Sequence, residues 1–268
     1  MSESFSGGTV DNGDVGLSYV EYGHQNPPVL ILHGLAGSGR EFELTAQALL
    51  PRRVILPDLR GHGHSTRRPA DVSREALVSD VVAVIETLSP DMPVILVGQS
   101  VGGHIGMLAA ARYPHLVEKL VLLEVSAGGA GDDAASRAMR DYFESWPLPF
   151  PDLGAATVFL GDGPLATAWV AGLEFRDGGW WPRFDADVME AMLRDVDGRA
   201  LWDDWESVDV PTLLLFAEHG MFSAGLAEEL TSRAGNARRV DIPGASHDAH
   251  LNAFPAWIKT LRDVVGSG

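Results

Sequence analysis

Three short segments hold the residue types that nucleophilic catalysis needs. Ser100 lies in Gly98-Gln99-Ser100-Val101-Gly102, directly behind the apolar run Pro93-Val94-Ile95-Leu96-Val97. A serine at a sharp strand-to-helix turn projects its hydroxyl away from the sheet, and flanking glycines let the turn close without side-chain collisions. The N-terminus of the following helix then offers unpaired amides and a positive dipole end to negative charge forming beside the hydroxyl. Five residues of this kind also fit an ordinary strand-ending turn, so the reading rests on the other two segments.

The second segment, Val29-Leu30-Ile31-Leu32-His33-Gly34-Leu35, ends an apolar run in His-Gly, where the chain turns and an amide can face the nucleophile. Leu35 N–H and Val101 N–H are the expected oxyanion hole; losing one such donor typically costs roughly 100- to 1000-fold in rate. His33 reads as a structural hydrogen-bonding residue rather than a base. The third segment, Val240-Asp241-Ile242-Pro243-Gly244-Ala245-Ser246-His247, ends a late strand in a loop, and His247 is the chosen base. His250 competes from the following helix, where it borders the pocket or is solvated. His62 and His64 read as residues of a structural loop, because alternating histidines without a third ligand do not make a metal site.

The elements that must position these residues follow from the apolar pattern. Continuous runs at Val29 to Leu32, Val54 to Leu56, Val94 to Val97, Leu120 to Leu123 and Thr212 to Phe216 predict parallel strands covered on both faces. A hairpin is expected from Gly8 to Val10 and Val15 to Tyr22 around Asp11-Asn12-Gly13-Asp14. Ser73 to Leu88 reads as a capped helix with Leu77, Val81, Val84, Ile85 and Leu88 on its apolar side. Between Ser126 and Glu206 the alternation of strand and helix breaks, and Gly, Pro and Trp dominate. Six of the seven tryptophans fall there: Trp146, Trp169, Trp180, Trp181, Trp202 and Trp205. A helical lid with an apolar underside is expected, most of these rings gluing it together and one or two lining a pocket.

Composition narrows the function classes. The 268 residues include no cysteine, which excludes thiolate catalysis, redox switching and Cys-based zinc sites and leaves oxygen nucleophiles. Acidic residues outnumber basic ones 37 to 20, a net charge of −17, which opposes phosphate backbones and anionic membranes. Expected are a soluble cytoplasmic protein, a small-molecule substrate, no nucleic-acid or membrane partner, and no cofactor or metal. Oligomeric state is not readable.

His33-Gly34, Asp58-Leu59-Arg60-Gly61-His62-Gly63-His64-Ser65, Gly98 to Gly102 and Gly244 to His247 occur in this order, and together they resemble the α/β-hydrolase fold family, in its capped, single-domain form. The resemblance spans nearly the whole chain. It implies an α/β architecture with a mostly parallel eight-stranded sheet, a core of residues 1–125 and 207–268, and a helical cap of residues 126–206 inserted after the sixth strand.

One position departs from the family pattern. Many relatives carry the triad acid as an aspartate after the seventh strand, but Phe216-Ala217-Glu218-His219-Gly220-Met221 has Gly220 there. Loss of a triad acid can cost about 10⁴-fold in turnover. Some members place the acid after the sixth strand, where this chain has Glu124, which is assigned the role; Glu218, another residue or a Ser-His dyad are the alternatives. The resemblance implies hydrolysis of an ester or lactone, with Trp146, Trp181, Arg183 and His250 as candidate substrate-binding residues. A single substrate carboxylate could meet Arg40, Arg183 or Arg176. Alternatives on the same fold are C–C bond hydrolysis, cofactor-free dioxygenation by the His247-acid pair, and a non-catalytic ligand-binding descendant.

Overall fold

Apolar runs without polar alternation can be buried only between two layers, and in this computed structural model, which describes residues 5–129 and 133–266, they are. The strands are β1 Phe5–Asn12, β2 Val15–Tyr22, β3 Gln25–Leu32, β4 Arg52–Pro57, β5 Val94–Gln99, β6 Val117–Leu123, β7 Glu174–Arg176, β8 Gly179–Trp181, β9 Thr212–His219 and β10 Ala237–Ser246. In β3, Leu30 and Leu32 enter one hydrophobic layer together with Leu96, while Val29 and Ile31 enter the opposite layer with Ile95 and Val97. Full burial of side chains of this size contributes about 1.5–3 kcal/mol each.

Eight strands form one sheet in the order β1-β2-β4-β3-β5-β6-β9-β10, antiparallel at β1–β2 and β2–β4 and parallel elsewhere. The chain runs outward from β3 to β4, then crosses back to β5 on the other side of β3. The carboxyl ends of β3 and β5 therefore flank the point where strand order reverses, the usual ligand crevice of such sheets.

The β1–β2 loop is Gly13-Asp14, since Asn12 pairs with Val15 and Gly13 takes φ +65°. Asn12 stays in the strand and donates its side-chain amide to Asp80 Oδ1 at 2.8 Å. The expected helix spans Arg74–Leu88, with Ser73 Oγ accepting from Ala76 N.

Between β6 and β9 the chain leaves the sheet through helices Ala134–Glu144, Leu153–Leu160 and Pro164–Gly172, the β7–β8 hairpin, and helices Ala186–Gly198 and Trp202–Glu206. Within the 126–206 segment, residues 130–132 lie outside the described residues. Two packing modes divide the remainder. Phe143, Trp146, Phe150 and Phe184 form an apolar cluster that reaches Ala36 in the turn after β3, with Trp169 against it. Met192, Val196, Leu201 and Trp205 instead enter the main core beneath the sheet helices, and Trp205 Nε1 donates to Leu230 O at 2.9 Å. Trp205 is thus a core residue rather than part of a lid.

Candidate active site

Ser100 sits between β5 and the helix Val101–Arg112 at φ 52°, ψ −120°, a region that L-residues rarely occupy. Its amide donates to Leu123 O at 3.0 Å and its carbonyl accepts from His104 N at 2.9 Å, so the sheet and the helix hold the turn from both sides. Strain of this kind costs about 1–3 kcal/mol and persists only where the surroundings enforce it. The glycines are needed for close approach. A Cβ on Gly98 would lie 2.5 Å from Gly102 O, and one on Gly102 would lie 2.6 Å from Leu32 O.

The turn after β3 is pressed against this elbow: a Cβ on Gly34 would be 3.3 Å from Ser100 Cβ. Two buried histidines fix the turn on either side of Leu35. His33 Nδ1 donates to Gly34 O at 2.7 Å, while its Nε2 accepts from Leu59 N at 2.9 Å. His62 Nε2 accepts from Ala36 N and its Nδ1 donates to Arg60 O, both at 3.0 Å. Because a backbone N–H can only donate, both rings are neutral Nδ1–H tautomers. Burial pushes His62 down to about 3. Asp58 accepts from Gly39 N and His64 N, completing a loop that braces the turn after β3.

Glu124 follows β6 at φ 50°, with its carboxylate fully buried. Oε1 accepts from Ala217 N at 2.8 Å; Oε2 accepts from Met221 N at 2.8 Å and faces His247 Nδ1 at 3.3 Å. Burial alone would raise the Glu124 pKa, but the hydrogen bond from His247 and the two amides outweigh it and hold the carboxyl below its usual value. Glu218 points elsewhere: its Oε2 accepts from the Gly244 amide at 2.8 Å. Gly220 explains the vacancy at the family's usual acid position, because a Cβ there would fall well inside 3.0 Å of both Glu124 oxygens. The carboxylate from β6 fills the notch that a side chain from the β9 loop would need.

Sequence reasoning did not single out Gln99 or Phe222. Gln99 Nε2 donates to His247 O at 3.4 Å, tying the histidine loop to the residue before Ser100. The Phe222 ring stands edge-on to the His247 imidazole, 6.4 Å between centroids. Gln99 occupied a variable position of the glycine motif, and Phe222 had no spacing signal.

A cavity of about 300 Å³ opens between the turn after β3 and the 146–184 region; its wall includes Ala36, Arg40, Glu41, Trp146, Trp169 and Arg183. Of the four expected substrate contacts, Trp146 and Arg183 are in this wall. Trp181 is not; it carries the Arg176 guanidinium over its ring, 4.7 Å from the centroid. His250 is neither pocket-lining nor solvated: it is buried and stacked on Phe42 at 4.2 Å, because the short helix Ala249–Asn252 turns it inward.

Residues 27–254 match the family model described as alpha/beta hydrolase fold. The chain belongs to that family. A Haemophilus influenzae protein named as a candidate esterase/lipase is 30% identical over 259 residues, covering 88% of this chain and 83% of that one. The sn-1-specific diacylglycerol lipase of Mus musculus is 40% identical over 106 residues, 38% of this chain and 34% of its own length, so the match spans about a third of the mouse enzyme. Among solved structures, an E-2-(acetamidomethylene)succinate hydrolase superposes with a TM-score of 0.87 at 23% identity, covering 98% of this chain and 100% of that one. Family membership and the esterase-named relatives support a hydrolase. No helix among the described residues is long and apolar enough to cross a membrane.

Proposed function

We propose that the chain is a serine hydrolase that cleaves a carboxylic ester or lactone of a small to medium, cyclic or aromatic organic molecule. His247 removes the Ser100 hydroxyl proton as Oγ attacks the carbonyl carbon, and the carbonyl π pair moves onto oxygen. The amides of Leu35 and Val101 donate to that oxyanion. On collapse the bond to the leaving oxygen breaks, and the imidazolium returns its proton to that oxygen, leaving the acyl group on Ser100. Water, deprotonated by His247, repeats the sequence and releases the acid. Glu124 holds Nδ1–H and stabilises the imidazolium in both halves.

The observation that carries this reading is the contact of His247 with the buried Glu124 carboxylate, on a loop that Gln99 ties to the turn where Ser100 is held at positive φ. Trp146 and Trp169 in the cavity wall favour a flat or cyclic acyl or alcohol portion. In the dioxygenase alternative the same pair would deprotonate the substrate and Ser100 would stay unacylated. A fluorophosphonate probe separates the two. Labelling of Ser100, lost with turnover in Ser100→Ala, is expected; turnover that survives Ser100→Ala or consumes dioxygen would refute the proposal.

A further inference from the structure

We infer that the cavity against the turn after β3 receives the carboxylate of an acidic substrate, an ester or lactone whose end remote from the scissile bond is negatively charged, with Arg183 and Arg40 as its receptors. The scissile bond rests on the hydrolase reading; the anion site does not. Positive groups are scarce in this part of the chain. Residues 126–206 contain 16 acidic and 6 basic side chains, in a protein with a net charge of −17. Yet the cavity wall holds two arginines, Arg183 and Arg40, and a single carboxyl, Glu41.

The internal ion pairs engage Arg183 and Arg40 through one nitrogen each. Glu174 is shared by three guanidiniums, with Arg67 at 2.9 Å, Arg176 at 3.2 Å and Arg183 at 2.9 Å. Arg67 also meets Asp185 and Arg176 also meets Asp177 at 3.8 Å, so among the described residues Arg183 is the guanidinium of the three whose carboxylate is Glu174 alone, and it shares that carboxylate. Arg183 reaches Glu174 through Nη1, and Arg40 reaches Glu43 through Nη1. A guanidinium has five N–H donors in a planar fork, so one edge of each can bind a second carboxylate. The Arg183 side chain is 30% exposed, partly withdrawn from water, where charge-assisted bonds count for more than on an open surface.

Glu41 does not oppose an anion as a fixed charge would. Its burial pushes it up to about 7, so below neutrality it mostly carries a proton that can be donated. Behind it, His250 Nε2 lies 3.8 Å from Glu41 Oε2, and neither ring nitrogen of His250 has a hydrogen-bond partner. The wall begins at Ala36, one residue beyond Leu35, and Ser100 itself is not part of it. A ligand anchored here therefore presents an apolar spacer past Trp146 and Trp169, and its reacting carbonyl lies away from the anchor. Two guanidiniums in a strongly acidic protein suit one carboxylate rather than a polyphosphate.

The test compares matched substrates and free ligands. The 4-nitrophenyl monoesters of adipic and suberic acids are assayed against the same esters with the far carboxyl methylated. On the leaving-group side, 4-carboxyphenyl butyrate is assayed against 4-carbamoylphenyl butyrate. In at least one pair, kcat/KM is expected to favour the acidic member by about 10-fold or more, the worth of one charge-assisted hydrogen bond. That ratio should shrink with added salt, fall towards unity in Arg183→Gln and Arg40→Gln, and recover partly in Arg183→Lys. Neutral members preferred or equal in both pairs would overturn the inference while leaving the hydrolase reading intact. If no ester is turned over, calorimetry on Ser100→Ala decides alone. Binding of suberate but not dimethyl suberate, weakened by the added Arg183→Gln, supports the site; equal or absent binding of the two overturns it.

Discussion

Gly220→Ala should disable the enzyme without touching a reacting atom. A Cβ at 220 would fall well inside 3.0 Å of both Glu124 oxygens, and the backbone of Ala217 and Met221 holds that carboxylate from the same loop. Relief requires the carboxylate to retreat by about 1 Å, which lengthens a Glu124–His247 contact already at 3.3 Å beyond hydrogen-bond range. Complete loss of a triad acid costs about 10⁴-fold. A displaced carboxylate that still acts through space retains part of that, so kcat is expected to fall between about 10²- and 10⁴-fold, or roughly 3–5.5 kcal/mol of transition-state stabilisation. Weakening the two amide bonds should also destabilise the fold by about 1–3 kcal/mol.

The assay is turnover of a 4-nitrophenyl ester, normalised to fluorophosphonate-titrated sites, alongside thermal melting. Gly225→Ala serves as the control, since a Cβ there meets nothing closer than Ser223 Oγ at 3.9 Å. The double variant Glu124→Ala/Gly220→Asp should recover activity relative to Glu124→Ala, because removing one carboxylate opens the notch for the other. Wild-type kcat and melting in Gly220→Ala, or a double variant no better than Glu124→Ala, would refute the reasoning.

Three further outcomes follow from the same geometry. Ser100→Gly should abolish labelling and turnover yet raise stability by about 1 kcal/mol, since glycine removes the strain of φ 52°; a lower melting temperature would contradict this. Burial, as the main cause, holds His62 down to about 3 and His104 and His250 to about 4, so the unfolded chain takes up protons first and stability should fall as pH drops from 6.5 towards 4. His250→Phe, which keeps the stack on Phe42, should make that decline shallower in melts across the window. Glu41 has the opposite sign: raised to about 7, it contributes stability fully below 4.5 that is lost as pH rises to 7. Glu41→Gln should therefore gain up to about 3 kcal/mol over wild type at pH 8 and nothing at pH 4.5.

How far the fold could be read depended on how many layers constrained each segment. Runs such as Val29 to Leu32 are covered on both faces, and their positions were legible because no polar residue can sit there. The hairpin β7–β8 was not, because three-residue strands outside the main sheet leave no period to detect. Tryptophan content marked the 126–206 segment but could not separate two apolar interfaces, so Trp205, which fills the core, looked the same as Trp146, which lines the cavity. His250 was misjudged for a related reason. Its spacing from His247 was visible, but only packing on Phe42 shows that the helix turns it inward.

The candidate site was legible where chemistry demands a residue type and obscure where it demands only a shape. Ser100, His247 and Glu124 could be named because few other groups could do the work proposed for them. Gln99 and the paired histidines around Leu35 act through the backbone they hold, and many side chains could do that. Gly220 belongs to both classes. In sequence it is a missing acid; in the structure it is the space that Glu124 occupies. The left-handed backbone of Glu124, at φ 50°, costs free energy that an ordinary strand end would not bear. With that turn the carboxylate enters the notch, where two amides and an imidazole meet it. The absence at 220 and the strain at 124 are therefore one adaptation, each intelligible only with the other.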